Sequence, residues 1–136
     1  MSKLRCFCGH VIVDQTDALP YKAIFIADEN DEEFSQSTLS AIEKIVIAWK
    51  QGKLSELFGE KFAEVYPKDS ELRSFLNDVL AVGYSEYSRT IYECEWCGRI
   101  WLQSRDRDEE FFPYLPEKEE RGILRSIRSN RESNQT

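Results

Sequence analysis

Long apolar runs are missing from this chain: the longest, Ala23 to Ala27 and Ile45 to Trp49, are five residues each, against the roughly 20 needed to cross a bilayer. No membrane association and a soluble protein are therefore expected. Histidine is reduced to His10, which leaves no second imidazole for a Ser or Cys relay. The six glycines are dispersed and form neither a G-x-S-x-G elbow nor a loop that cradles phosphate. No internal repeat or low-complexity tract is present. Positive charge is in deficit, with 18 basic against 25 acidic side chains and a net charge of −7, so non-specific affinity for nucleic acid should be poor. The start, Met1-Ser2-Lys3-Leu4-Arg5, meets a cysteine at once without the apolar core of a secretory signal. A reducing, cytoplasmic address is expected.

What is present suits one domain. The 136 residues with 41% apolar content can build a real core that buries roughly two-thirds of the unfolded surface. All four cysteines fall into two tight clusters, Cys6-Phe7-Cys8-Gly9 and Cys94-Glu95-Trp96-Cys97-Gly98, separated by 85 residues. In a reducing compartment such pairs read as metal ligands, because thiolates a few residues apart can converge on one tetrahedral Zn²⁺. A glycine follows each pair, where a knuckle turn needs a permissive backbone and close approach of N–H groups to sulfur. The first pair, C-x-C-G, is one residue tighter than the second, C-x-x-C-G.

With these residues the chain resembles a zinc ribbon, in which two cysteine knuckles, at least one on a β-hairpin, clamp one structural zinc. The resemblance covers about 30 residues and implies Cys6, Cys8, Cys94 and Cys97 as ligands of a single Zn²⁺. The interval between knuckles far exceeds the roughly 15 to 20 residues of a compact ribbon and reads as an inserted helical layer. Closing so long a loop adds entropy cost only logarithmically, and metal binding offsets it. A redox dithiol at Cys94 and Cys97 is the weaker reading, since a reactive C-x-x-C opens a helix and Ile100-Trp101-Leu102 reads as a strand. Iron in place of zinc, or buried thiols without a metal, would also fit the four residues. His10 either replaces one thiolate or, the preferred reading, makes an ordinary hydrogen bond beside the knuckle.

The expected fold is α+β: a zinc-ribbon-like antiparallel β-sheet carrying about three inserted helices. One zinc-stabilised domain spans 1–128, with knuckles at 3–13 and 90–103, the helical insertion at 34–82 and a frayed tail at 129–136. Strands are expected at Lys3-Leu4-Arg5, Val11-Ile12-Val13, Tyr21 to Ala27, Thr90-Ile91-Tyr92 and Arg99 to Leu102. Helices are expected from about Phe34 to Gln51, stopped by Gly52; from Lys53 to Val65, stopped by Pro67; and from Asp69, as N-cap, to Val82 near Gly83. Arg105 to Glu120 is too charged and proline-bound for regular structure and should pack as an extended arm. Arg121 to Arg131 should form a last helix with Ile123, Leu124 and Ile127 inward.

Asp28, Glu29, Asp31, Glu32 and Glu33 place five carboxylates in six residues. They do not make an EF-hand, because Glu33 stands where glycine is needed and Leu39 where a bidentate glutamate is needed. A solvated run ahead of a helix is the plainer reading; an anionic face for a basic protein is the functional one. Asp106 to Glu120 forms a second acidic region. The last 16 residues carry +3, leaving −10 for the first 120; helix-end pairing of those arginines is favoured over contact with nucleic acid. Phe7 and Trp96 are expected to pack around the thiolates and exclude water; the zinc-ribbon resemblance instead implies Phe7, Trp96 and Arg99 as candidate partner or nucleic-acid contacts.

Four thiolates close the shell of a zinc ion and leave no water to activate, so no enzyme is expected. His10 is followed by Val11-Ile12, not by the glutamate of a zinc deaminase. The expected function is recognition of another protein, as an acidic inhibitor or immunity-type partner of a basic protein or toxin. The alternative is a zinc-ribbon accessory factor of transcription, RNA or ribosome processes.

Overall fold

Alternating and β-branched residues on both sides of each cysteine pair fold into antiparallel hairpins. The computed structural model describes residues 2–57 and 72–127. Strand β1 (Ser2–Arg5) pairs with β2 (Val11–Asp14), Arg5 opposite Val11, with the first knuckle at the turn. Strands β3 (Lys22–Ile26), β4 (Ser88–Glu93), β5 (Ile100–Gln103) and β6 (Phe111–Tyr114) form a second, four-stranded sheet in that order. The second knuckle is the turn between β4 and β5, which pair antiparallel with Glu93 opposite Ile100.

The described residues include two helices, α1 (Asp28–Lys50) and α2 (Leu72–Tyr87), and residues 54–57 are also helical. The fold is α+β with antiparallel sheets, as the patterning predicts. The described residues form two compact units: the two hairpins with β3 and β6, at 2–25 and 89–127, and the helices, at 26–57 and 72–88.

Several boundaries differ from the sequence expectation. Helix α1 begins at Asp28 and not near Phe34. Its N-cap, Ala27, offers no side-chain acceptor, and Asp28, Glu29 and Asp31 in the first turn complement the exposed N–H groups electrostatically. Gly52 does end it: at φ 68° it lets its own N–H reach Trp49 O at 3.1 Å and that of Lys53 reach Ala48 O at 2.8 Å, the paired closure of a Schellman cap. Helix α2 continues through Gly83 to Tyr87, since a lone glycine weakens a helix without breaking it. The proposed Asp69 cap, most of the helix expected at 53–65 and the 129–136 tail lie outside the described residues.

Phe111–Tyr114 is a strand despite Pro113, contrary to the expectation of no regular structure. It lies at the edge of its sheet, where a residue without N–H can turn that side of its backbone away from the ladder. Residues 121–126 are not helical, and Ile123 and Ile127 are exposed; Gly122, at φ 75°, breaks the run.

Each unit has its own interior. Phe75 and Val79 of α2 are buried, and Phe34 of α1 meets the rings of Tyr84 and Tyr87 at centroid distances of 6.3 and 6.2 Å. In the hairpin unit the core is Cys6, Ile12, Tyr92, Cys94 and Trp101, with Leu4, Tyr21, Cys97 and Phe111 against it. Two of the five core residues are cysteines from the knuckles, so the candidate site and the core are one cluster.

Candidate metal centre

The two knuckles are built on the same plan with one residue of difference. In the first, Cys6 N–H donates to His10 O at 2.8 Å and Gly9 N–H to Cys6 O at 3.0 Å. In the second, Cys94 N–H donates to Arg99 O at 2.8 Å and Gly98 N–H to Cys94 O at 2.8 Å. Gly9 and Gly98 both have positive φ, 99° and 76°, where a side chain would be strained. The missing residue of C-x-C-G shortens the first turn without changing its closure.

The turns bring Cys6, Cys8, Cys94 and Cys97 together, all four sulfurs lying within 4.8 Å of one another. Cys6 to Cys97 and Cys8 to Cys94 are each 3.5 Å, and all four cysteines are free. A tetrahedron of thiolates at zinc–sulfur distances near 2.3 Å has edges of about 3.8 Å, so the cluster needs only small adjustments to hold one ion. Each close pair joins one knuckle to the other.

The surroundings suit thiolates. Burial pushes the Cys6 thiol up, but the N–H of Cys8, the Trp101 indole, the Arg99 guanidinium and the Cys97 sulfur outweigh it and bring it down to about 6. Cys94 moves the other way, to about 12, by burial first and then by the neighbouring sulfurs of Cys8 and Cys6, against N–H groups of Cys97 and Trp96 that favour its thiolate. Four sulfurs this close cannot all carry charge together without a cation to relieve their repulsion. The buried indole Nε1 of Trp101 makes no hydrogen bond of full geometry; the charge it stabilises is that of Cys6. These features fit a metal ion bound by four thiolates.

Arg99 is turned toward the cluster. Its Nη1 donates to Cys97 Sγ at 3.6 Å and to Cys6 Sγ at 3.7 Å, and its guanidinium lies 5.3 Å from the centroid of the Phe7 ring. The hydrogen bond to Cys6 heads the causes that raise its own pKa. His10 is not among the clustered ligands; its ring stacks on Trp96 at 4.6 Å. Phe7 and Trp96, expected to pack around the thiolates, are instead 75% and 67% exposed. The apolar shield is Trp101, with the Phe7 ring meeting it in a T-shaped contact at 5.2 Å between centroids. A knuckle turn points its cysteine sulfurs inward, which directs the side chains between the cysteines outward.

Two contributors escaped the sequence reading. The Glu93 carboxylate, 2% exposed, accepts the N–H of Gly122 at 2.8 Å and of Ile123 at 3.1 Å. Arg121 Nη2 donates to Trp96 O at 3.1 Å, so residues 121–123 clasp the second knuckle. The available signal was an acid closing the apolar run Thr90-Ile91-Tyr92. The second contributor is Asp14, which receives the Tyr92 hydroxyl at 2.5 Å and Lys22 Nζ at 2.6 Å and ties β2 to the larger sheet.

A family model matches residues 2–118, and its description is a domain of unknown function, DUF8617. The chain belongs to this family. The DUF8617 match includes all four cysteines and stops before the clasp at 121–123. No curated protein and no solved structure matches the chain.

The other predicted site residues sit apart from the cluster in chain position. Asp28, Glu29, Asp31, Glu32 and Glu33 occupy the first turns of α1 and are all exposed. A helical backbone there cannot wrap a cation as a calcium loop does. Among the described residues no helix is long and apolar enough to cross a membrane.

Proposed function

We propose that this DUF8617 chain is a non-catalytic zinc protein that recognises another, basic, protein in a reducing compartment. One Zn²⁺ is held by Cys6, Cys8, Cys94 and Cys97 as a structural ion. Four thiolates supply the whole of a tetrahedral shell, which supports a structural over a catalytic role. Zinc is preferred to iron because the lone four-sulfur set needs no redox partner to explain it, and a bound divalent cation relieves the crowding of charge among the sulfurs.

The observation that carries the recognition half is the distribution of charge. By sequence, segments 1–25 and 89–136 together hold 12 basic and 12 acidic side chains, while 26–88 holds 6 basic and 13 acidic. The entire net charge of −7 therefore belongs to the helical unit, whose α1 opens with five exposed carboxylates. A concentrated field of one sign steers and selects a partner of the other sign. The immunity-type or inhibitor role is the specific form of this reading. A second reading, an accessory factor touching single-stranded RNA, draws on the exposed Phe7 and Trp96 beside a neutral hairpin unit, where base stacking would be the source of affinity.

One experiment separates them. Immobilised protein and a variant with Asp28, Glu29, Asp31, Glu32 and Glu33 changed to Asn or Gln are exposed to host extract at about 50 mM and about 500 mM salt. Basic proteins retained by the original chain, lost by the variant and released by salt are the expected result. Identical capture by both proteins overturns the reading, and recovery of RNA lost on Trp96→Ala transfers it to the second.

A further inference from the structure

The four sulfurs are not equivalent to an incoming reagent. Cys6 and Cys94 are buried and Cys97 is half-buried, whereas Cys8 is exposed. Hydrogen-bond donors are unevenly placed as well. Arg99 Nη1 donates to Cys6 Sγ at 3.7 Å and to Cys97 Sγ at 3.6 Å. Donors of this kind draw electron density from sulfur and lower its nucleophilicity. The polar contact of the Cys8 sulfur is with another sulfur, that of Cys94, 3.5 Å away.

We propose that Cys8 is a modification site, the sulfur at which electrophiles and hydroperoxides react first, with Cys94 as its resolving partner. This rests on the reading of the four cysteines as ligands of one ion. With a hydroperoxide as oxidant, the Cys8 thiolate attacks the distal oxygen; the O–O bond breaks, hydroxide or alkoxide leaves, and Cys8 becomes a sulfenic acid. The Cys94 thiolate then attacks the Cys8 sulfur, the S–OH bond breaks with loss of hydroxide, and a Cys8–Cys94 disulfide forms. Two thiolates give up two electrons and the peroxide takes them. The chain then offers only Cys6 and Cys97 to the metal, too few to hold it.

The geometry gives this oxidation a particular outcome. Cys8 belongs to the β1–β2 hairpin and Cys94 to the β4–β5 hairpin, so the new bond joins the same two knuckles that the metal joins. One staple replaces another, the metal is released and the hairpins stay linked. The centre then works as an oxidant-sensitive store of its ion, recharged when a dithiol reduces the disulfide.

The test uses the full chain as purified, with metal content measured first. Brief treatment with sub-stoichiometric N-ethylmaleimide, followed by digestion and tandem mass spectrometry, should place the label on Cys8 about 10-fold or more ahead of each other cysteine. Hydrogen peroxide should release metal to a chromogenic chelator in step with a Cys8–Cys94 cross-link, and Cys8→Ser should slow that release to a similar degree. Label spread evenly over the four, label first on Cys97, or a cross-link inside one knuckle overturns the inference. Protein purified without metal overturns the underlying reading instead. If Cys8→Ser does not fold, the labelling order in the unmodified chain decides.

Discussion

Gly9 and Gly98 close equivalent turns but stand in different surroundings. A Cβ at Gly9 would meet nothing within 4 Å, so Gly9→Ala carries only the strain of its φ of 99°, about 1 kcal/mol. At Gly98 a Cβ would lie 2.6 Å from Arg121 Nη1 and 2.9 Å from the backbone oxygen of Glu120. The arginine can swing away, but the backbone oxygen belongs to the clasp on the knuckle. Gly98→Ala should therefore cost about 2 to 3 kcal/mol, read as a lower denaturant midpoint at unchanged slope, and Gly9→Ala clearly less. Equal losses would contradict the clasp. At this scale the cysteines and their glycines were legible, because metal chemistry restricts residue type and spacing. The outward facing of Phe7 and Trp96 was not, because the one or two residues between paired cysteines leave no periodicity from which to tell inward from outward.

At the scale of elements, the β1–β2 hairpin depends on Asp14. Burial raises its carboxyl pKa, but hydrogen bonds from Lys22 and Tyr92 outweigh this and hold it below the ordinary carboxylate value. The unfolded chain thus takes up that proton more readily than the folded one. The stability contributed by Asp14 is complete above the unfolded pKa of about 3.9 and is lost as pH falls through the lower folded value. Asp14→Asn should lower the denaturant midpoint at neutral pH, and the gap from the unmodified chain should close as pH falls below about 4. A gap constant from pH 6 to pH 2 would refute the assignment; comparing the two proteins cancels the loss of metal in acid. Burial also raises the Tyr92 pKa, as does its bond to Asp14, which keeps the hydroxyl a donor throughout this range. Element types were mostly legible, through β-branched alternation and three- and four-residue apolar steps. Their ends are less legible where one signal has two uses: the acidic residues serve the first turn of α1 and do not precede it, and Pro113 is compatible with a strand at the sheet edge though not in its interior.

For the whole molecule, the core of the hairpin unit holds, among the described residues, five buried hydrophobic side chains, two of them cysteines. On the proposed zinc reading, so small an interior leaves metal binding as a main source of its stability. Removal of the metal by a strong chelator should shift Trp101 emission to the red and broaden thermal unfolding, and adding Zn²⁺ at one equivalent should reverse both. Far-ultraviolet circular dichroism of α1 and α2 should persist, since no ligand comes from 26–88. Loss of the helical signal in step with the tryptophan signal would show that the ion stabilises both units.

The sequence by itself determined the four candidate ligands, the α+β class, the stop at Gly52 and the net charge, because these follow from residue chemistry and local backbone preference. Only the tertiary structure decided which sulfur faces solvent, that Arg99 and Trp101 serve the thiolates, that Glu93 anchors the 121–123 clasp, and that the charge gathers in one unit. Those properties depend on which distant segments meet, and contact across some 90 residues leaves no periodic trace in the chain.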